Sequence, residues 1–167
     1  NDLPLWALES QSPVRDFDMI AFTIGYEMAY SNILNMLNLA GVPLHSRDRH
    51  DLKNIVFAGG VCAFNPEPLH QFIDAFMIGD GEDVMHELID VIRNGKKQGL
   101  AKKDILRNLA RVEGVYVPSL YDAAYNEDGT LSSFTPNDAA APSIVKKRVV
   151  KDLSAASYPT SIPGPYT

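Results

Sequence analysis

Cysteine is nearly absent from this chain of 167 residues, in which Cys62 is the only one. A single thiol excludes an internal disulfide, and by itself it cannot hold a zinc ion or an iron–sulfur cluster. Such sparing use of cysteine is typical of reducing compartments, so we expect a cytoplasmic location. Long apolar runs are also missing, since none approaches the roughly 20 residues that span a bilayer, and no signal peptide is visible. We therefore expect no membrane partner.

An excess of basic charge is lacking as well. The chain has 15 lysines and arginines against 21 aspartates and glutamates, which gives a formal net charge of −6 at pH 7. Nucleic-acid phosphates would be repelled by this charge, so we expect no nucleic-acid partner. Apolar residues make up 46% of the sequence, which is enough to close the core of one ordinary domain.

Three short apolar runs end in glycine, and a helical pattern or a loop follows each of them. The runs cover residues 18–25, 54–60 and 75–79. Helical patterns are expected from Tyr26 to Leu37, from Pro68 to Ile73, and from Val84 onward. Strands that are apolar on both faces and alternate with helices predict a parallel sheet covered by helices on both faces. The fold class is therefore α/β.

The pattern changes in the last third of the chain. A helix over residues 102–111 precedes a last strand over 114–118, and residues 126–130 (NEDGT) have the composition of a hairpin turn. Residues 144–150 suggest one more strand, and a linker follows. We predict an α/β domain over residues 1–118, a β-hairpin extension over 119–152 and a linker over 153–167.

The carboxyl ends of the predicted strands are the candidate site, because loops and helix N-termini converge there in parallel sheets. Glycine allows close approach of a backbone or a ligand at these points. Tight turning between strand and helix is the alternative explanation for each glycine, but three such ends together favour a ligand crevice. The candidate residues are Thr23, Gly25, Tyr26, Gly59, Gly60, Cys62, Asn65, Gly79, Asp80, Gly81 and Glu82.

Several of these residues have other interpretations. Asp80 is interpreted first as a helix N-cap, and a metal site that combines it with Glu82, Asp83 and His86 is the less favoured alternative, because successive helical side chains diverge. Cys62 as a nucleophile would need a neighbouring base, and the spacing of the four histidines selects none. We expect a thiol that packs in the loop without reacting, no catalytic residue and no metal ligand.

Residues 22–44 (FTIGYEMAYSNILNMLNLAGVPL), 58–68 (AGGVCAFNPEP) and 72–82 (FIDAFMIGDGE) closely resemble one group of proteins. These are radical S-adenosylmethionine (SAM) proteins with a cobalamin-binding-like N-terminal domain. The resemblance extends to the tail, and it implies that a barrel with a C-x3-C-x2-C motif for a 4Fe–4S cluster and SAM lies beyond this fragment. The implied partner is this radical SAM domain in cis, and no cofactor is expected on the fragment itself.

The resemblance also implies a flavodoxin-like, Rossmann-like fold and a place for cobalamin in the full-length protein. In such domains the nucleotide tail of cobalamin lies between a Ser/Thr at one strand end and a Gly-Gly at the next, and Thr23 and Gly59-Gly60 match these places. The D-x-H-x-x-G element would lie upstream of Asn1, and the D-x-H at Asp48 to His50 is not it. A first βα unit would then be missing, which would leave a gap or an unpaired edge and promote self-association into a homo-oligomer.

The expected function is thus that of an accessory domain, which contributes cofactor or substrate contacts to a barrel that performs the radical chemistry. One alternative is the same fold without a cofactor, acting as a structural or interaction module. A nucleotide-binding domain is the other alternative, weakened by the absence of G-x-G-x-x-G after any strand.

Overall fold

The computed structural model describes residues 3–50 and 53–156, and a four-stranded sheet lies at its centre. The strands follow the order β1-β2-β3-β4: β1 (Met19–Thr23), β2 (Ile55–Gly59), β3 (Ala75–Met77) and β4 (Val115–Tyr116). Three helices accompany the sheet: α1 (Tyr30–Leu39), α2 (Val84–Lys97) and α3 (Lys102–Ala110). Strands β1, β2 and β3 are mutually parallel, so the mostly parallel sheet confirms the predicted α/β fold.

The central strand β2 is buried on both faces, as its unbroken apolar sequence predicted. Ile55 and Phe57 face the layer of α2 and α3, where they join a core cluster with Leu88. Val56 packs on the opposite face with Ile33 of α1. The alternation of side chains along a strand thus divides the core into two layers, with helices on both faces of the sheet.

Strand β4 is antiparallel to β3, although a uniformly parallel sheet was predicted. The reason is that two helices, and not one, connect these strands. A single crossover helix returns the chain to the edge at which the previous strand began, whereas α2 and α3 together bring it back to the edge at which β3 ended. Gly95 allows this pair to pack closely, since a Cβ atom there would lie 2.5 Å from Cγ1 of Ile105.

The predicted hairpin is confirmed, and it forms a separate antiparallel pair of strands, β5 (Tyr121–Tyr125) and β6 (Leu131–Pro136). In its turn, the Asn126 N–H donates to the Thr130 oxygen at 2.8 Å. The Thr130 N–H in turn donates to Asp128 Oδ1 at 2.9 Å. These local bonds depend on the Asn-Glu-Asp-Gly-Thr sequence alone, which is why the turn was predictable.

Other elements differ from the prediction in extent. The α-helix after β1 begins at Tyr30, because Glu27–Ala29 forms a 3₁₀ turn and Tyr26 is extended. The helix expected over residues 68–73 is reduced to the 3₁₀ turn Glu67–Leu69. A segment of about six residues forms too few i→i−4 hydrogen bonds to offset the cost of nucleating an α-helix. Connection β2–β3 therefore contains only short 3₁₀ turns.

The sheet has no gap among the described residues, so the expected hole near its middle is absent and β1 is an outer strand. The expected strand over residues 144–150 is reduced to one parallel bridge between Gly79 and Arg148. The predicted limits at residues 118 and 152 remain predictions, and residues 157–167 of the expected linker lie outside the described part of the chain.

A buried charge cluster stabilises the edge of the sheet at which the parallel strands β2 and β3 begin. The Asp74 carboxylate, which is fully buried, accepts a 2.7 Å hydrogen bond from the Val56 N–H and forms ion pairs with Arg49 at 3.1 Å and Lys102 at 3.2 Å. Arg49 also donates to the carbonyl oxygens of Pro43, Leu44 and Phe72. This cluster therefore ties the connection between α1 and β2 to the start of β3.

Candidate functional site

The carboxyl ends of β1 and β2 meet as the sequence predicted. Thr23 is the register partner of Gly59, and the pairing continues one step beyond the strands, where the Ile24 N–H donates to the Gly59 oxygen at 2.7 Å. The Cys62 N–H then donates to the Ile24 oxygen at 3.1 Å. Thr23, Gly59, Gly60 and Cys62 are thus brought together at one edge of the sheet.

Gly60 is a glycine because the protein's own backbone approaches it. Its φ angle is +97°, and a Cβ atom at this position would lie 2.7 Å from the oxygen of Ile24 and 2.9 Å from its nitrogen. The space beside Gly60 is therefore filled by the main chain of Ile24. The resemblance implies the nucleotide tail of cobalamin at this place, and the main chain of Ile24 occupies the Cβ side of Gly60 there.

The third strand end is covered by the carboxyl-terminal part of the chain. Gly79 has a φ angle of +117°, and a Cβ atom there would collide with the main-chain oxygen of Arg148. The Arg148 N–H donates to the Ile78 oxygen at 2.9 Å, and the Asp80 N–H donates to the Arg148 oxygen at 3.1 Å. Gly79 and Asp80 thus contact the protein's own chain, and neither residue lines a described cavity.

Asp80 is not a helix N-cap, which corrects the first interpretation of this residue. Helix α2 begins at Val84, with Asp83 in the N-cap position, and the Asp80 carboxylate accepts a 2.9 Å hydrogen bond from the Val150 N–H instead. Glu82 is exposed beside it. The Val150 N–H belongs to a segment that is distant in the sequence. Local sequence therefore could not predict that this group binds the Asp80 carboxylate.

Gly25, Tyr26 and Gly81 lie in open positions. A Cβ atom on Gly25 or Gly81 would have no neighbour within 4 Å, and the Tyr26 side chain is exposed. These three residues line no described cavity.

Cys62 lies in the 3₁₀ turn Val61–Phe64, where it is half-buried. Burial raises the pKa of the Cys62 thiol, and the nearby Glu27 carboxylate raises it further. A raised pKa keeps the sulfur protonated at neutral pH, and the thiol is then a poor nucleophile. This environment agrees with a thiol that packs without reacting.

A wide groove lies next to these strand ends, and we call it the aromatic groove. It has a volume of about 640 Å³. Loops that follow β2 and β3 form one wall, the β5–β6 hairpin forms the floor and the other wall, and residues 143–147 close one side. Its lining consists of Phe64, Asn65, Pro66, Glu67, Ile78, Tyr116, Tyr121, Ala123, Tyr125, Leu131, Phe134, Ser143, Val145 and Lys147.

Of the predicted site residues, Asn65 lines the aromatic groove. The hairpin residues that form its other wall were missed, because no local pattern shows that the hairpin folds back onto the sheet. The one available signal was the spacing of Tyr121, Tyr125 and Phe134, which places aromatic rings on both strands of a predicted hairpin.

Stacked rings form the floor of the aromatic groove. The rings of Tyr121 and Phe134 are nearly parallel, with centroids 5.3 Å apart, and the Tyr116 ring lies 5.1 Å from that of Tyr121. Tyr116 also stacks at 6.1 Å on Phe76 of the core. The hairpin is thereby joined to the sheet through a continuous series of aromatic contacts, which stabilise its position.

Two charged side chains lie at the rim near the loop after β2. The Tyr116 hydroxyl donates a 2.7 Å hydrogen bond to Glu67 Oε1, and burial together with this carboxylate raises the tyrosine pKa strongly. The ammonium of Lys147 lies 5.9 Å from the centroid of the Phe64 ring. The rim therefore presents one carboxylate and one ammonium above an apolar floor.

The D-x-H of the sequence lies elsewhere. His50 lines a cavity of about 410 Å³ at the amino-terminal edge of the sheet, together with His45 and His70. This position agrees with the interpretation that Asp48 to His50 is not the cobalamin-ligating element.

Two further findings concern metal ligands and helix length in the described part of the chain. Within residues 3–50 and 53–156, no three His, Cys, Asp or Glu side chains are grouped so that they could hold a metal ion. No helix in this part of the chain is long and apolar enough to cross a bilayer.

Comparison with known proteins gives one result. Residues 1–118 match the family model of radical SAM proteins, N-terminal, and the matched range ends just before the hairpin begins at Tyr121. Neither the curated proteins nor the solved structures contain a match to this chain. Because the family model covers well over half of the 167 residues, the chain belongs to the family of N-terminal regions of radical SAM proteins.

Proposed function

We propose that this domain contributes substrate contacts to a radical SAM enzyme through its aromatic groove. A separate barrel of the parent protein would hold the 4Fe–4S cluster and SAM and would perform the radical chemistry. Family membership supports the accessory role. The single thiol of this chain supports a cluster held elsewhere, since such clusters need several cysteine ligands.

The position of the groove is the observation that carries the proposal. Ligands of open α/β sheets bind beside the loops that follow the carboxyl ends of the strands, and the groove is bordered by loops after β2 and β3. Its volume of about 640 Å³ lies within the range of small-molecule sites. Aromatic walls with a few polar groups are also typical of such sites.

Cobalamin is the cofactor that the resemblance implies for the parent protein, and the local geometry favours the alternative without it. The main chain of Ile24 occupies the Cβ side of Gly60, where the resemblance implies the cofactor tail. Titration of the parent protein with cobalamin, followed by visible absorbance, tests this point. A stoichiometric absorbance change would restore cobalamin as the ligand.

The interaction module remains a second candidate, with the radical SAM barrel in cis as its partner. Tyr125 is 67% exposed and Leu131 is 57% exposed, so the hairpin wall offers apolar surface that another domain could cover. Under this alternative the groove would be filled by the barrel and not by a substrate.

Matched variants of the parent protein separate the two candidates. Phe134→Ala removes a ring from the groove floor, and Phe17→Ala removes a ring of similar exposure outside it, at 41% and 38% exposed respectively. The assays are iron and sulfide content and the consumption of SAM in the presence of a metabolite extract.

Under the substrate proposal, Phe134→Ala keeps the cluster and lowers SAM consumption, whereas Phe17→Ala changes neither. Loss of iron and sulfide in Phe134→Ala alone would favour the interaction module. Unchanged consumption in both variants would contradict the substrate proposal.

A further inference from the structure

We propose that the aromatic groove binds a small zwitterion with a planar ring, of the aromatic α-amino acid class. This inference rests on the proposed function and specifies the ligand class of the same groove. It depends on two features that lie close together: an apolar aromatic floor and a rim that carries charges of both signs.

The floor is suited to a planar ring. Tyr116, Tyr121 and Phe134 hold one another in place through ring contacts of 5.1 and 5.3 Å, and the Tyr121 hydroxyl is fixed by a 2.7 Å hydrogen bond to the Pro142 oxygen. Rings that are already ordered lose little conformational entropy when a ligand stacks on them. A flat aromatic ligand gains both apolar burial and ring contacts on such a surface.

The carboxylate at the rim is positioned to bind an ammonium group. Glu67 Oε1 accepts the hydrogen bond from Tyr116, which orients the side chain, and Oε2 lies 3.7 Å from Nδ1 of His70. The Glu67 side chain is half exposed, and it is part of the groove lining. A ligand ammonium there would form a charge-assisted hydrogen bond.

The ammonium at the rim is positioned to bind a carboxylate. Lys147 lies over the Phe64 ring, and no carboxylate in residues 3–50 or 53–156 forms an ion pair with it. Asn65 lines the same groove, and its side-chain amide can donate hydrogen bonds. A ligand carboxylate would therefore meet a cation and a neutral donor together.

The two charges together select the ligand class. A purely cationic ligand would be attracted by Glu67 but repelled by Lys147, and a purely anionic ligand would meet the reverse. A zwitterion carries a partner for each of the two groups, an ammonium for Glu67 and a carboxylate for Lys147. The apolar floor then favours an aromatic side chain over a short or polar one.

Three indoles test the proposal on the 167-residue chain by isothermal titration calorimetry and saturation-transfer NMR. L-Tryptophan carries both charges, tryptamine only the ammonium and indole-3-propionate only the carboxylate. We expect L-tryptophan to bind about 10-fold more tightly than either analogue, a difference of about 1.4 kcal/mol, because each analogue lacks one charge-assisted contact to a solvent-exposed group.

Charge-neutralising variants assign the two contacts. Lys147→Met should weaken L-tryptophan about 10-fold and leave tryptamine no weaker, whereas Glu67→Gln should weaken L-tryptophan and leave indole-3-propionate no weaker. Lys151→Met, at an exposed position that does not line the groove, is the matched control and should change nothing. Circular dichroism of each variant checks that the fold is kept.

Equal binding of the three indoles, or no binding of any at millimolar concentration, would overturn the inference. Either result would leave the proposed function standing if Phe134→Ala still lowers SAM consumption by the parent protein. A different result would contradict the proposed function, namely SAM consumption that Phe134→Ala leaves unchanged.

Discussion

The main-chain oxygen of Ile24 lies 2.7 Å from the position that a Cβ atom would take on Gly60. The double glycine at the end of β2 therefore allows two segments of the protein's own backbone to meet. A substitution at Gly60 is expected to act first on folding, so a loss of ligand binding in such a variant would not by itself locate a ligand.

Gly60→Ala should lower the free energy of unfolding by at least about 2 kcal/mol, because alanine is strained at a φ angle of +97° and its methyl group would collide with Ile24. Urea unfolding measures the change. Gly25→Ala is the control, since a Cβ atom there has no neighbour within 4 Å. Equal stability of the two variants would contradict the close approach of Ile24 to Gly60.

Cys62 should react with iodoacetamide only at alkaline pH. Burial and Glu27 raise its pKa, so the thiolate forms at a higher pH than in a free cysteine, whose pKa is about 8.5. The measurement is the alkylation rate as a function of pH. Glu27→Gln should shift the profile to lower pH, whereas Glu82→Gln should not. Rapid alkylation at pH 7 would contradict the expected environment.

Asp74→Asn should destabilise the protein by about 3–5 kcal/mol, because it leaves the buried Arg49 guanidinium without its carboxylate partner. Asp90→Asn breaks an exposed pair with Arg93 and should cost about 0–1 kcal/mol. Chemical denaturation of both variants provides the comparison. A small effect at Asp74 would mean that water or another group compensates the charge of Arg49.

The outer strand β1 should promote self-association of the isolated chain. Its even-numbered residues bond to β2, so the N–H and C=O groups of Met19, Ala21 and Thr23 point outward and offer an edge to a second copy. Light scattering should therefore detect a species larger than the monomer of 18.4 kDa.

A lysine on this edge provides the test. Ala21→Lys should shift the population toward monomer, because a charge on an edge strand opposes pairing, whereas Gln98→Lys at an exposed helix end should not. A wild-type chain that remains monomeric at high concentration would rule out association through β1.

The sequence by itself determined the strand–helix order at β1–α1 and β3–α2, the two-sided burial of β2 and the hairpin turn at residues 126–130. Each depends on residues close together in the chain: continuous apolar runs, helical spacing, or an Asn-Glu-Asp-Gly-Thr turn whose side chains bond to their own backbone.

Only the tertiary structure decided which groups contact the carboxyl ends of the strands. Val150 reaches Asp80 from 70 residues away, Arg148 fills the space beside Gly79, and Phe134 stacks on Tyr121 to form the floor of the aromatic groove. The glycines predicted a close approach but not whether a ligand or the chain itself would make it. That choice depends on packing between distant segments, and local sequence patterns carry no record of such contacts.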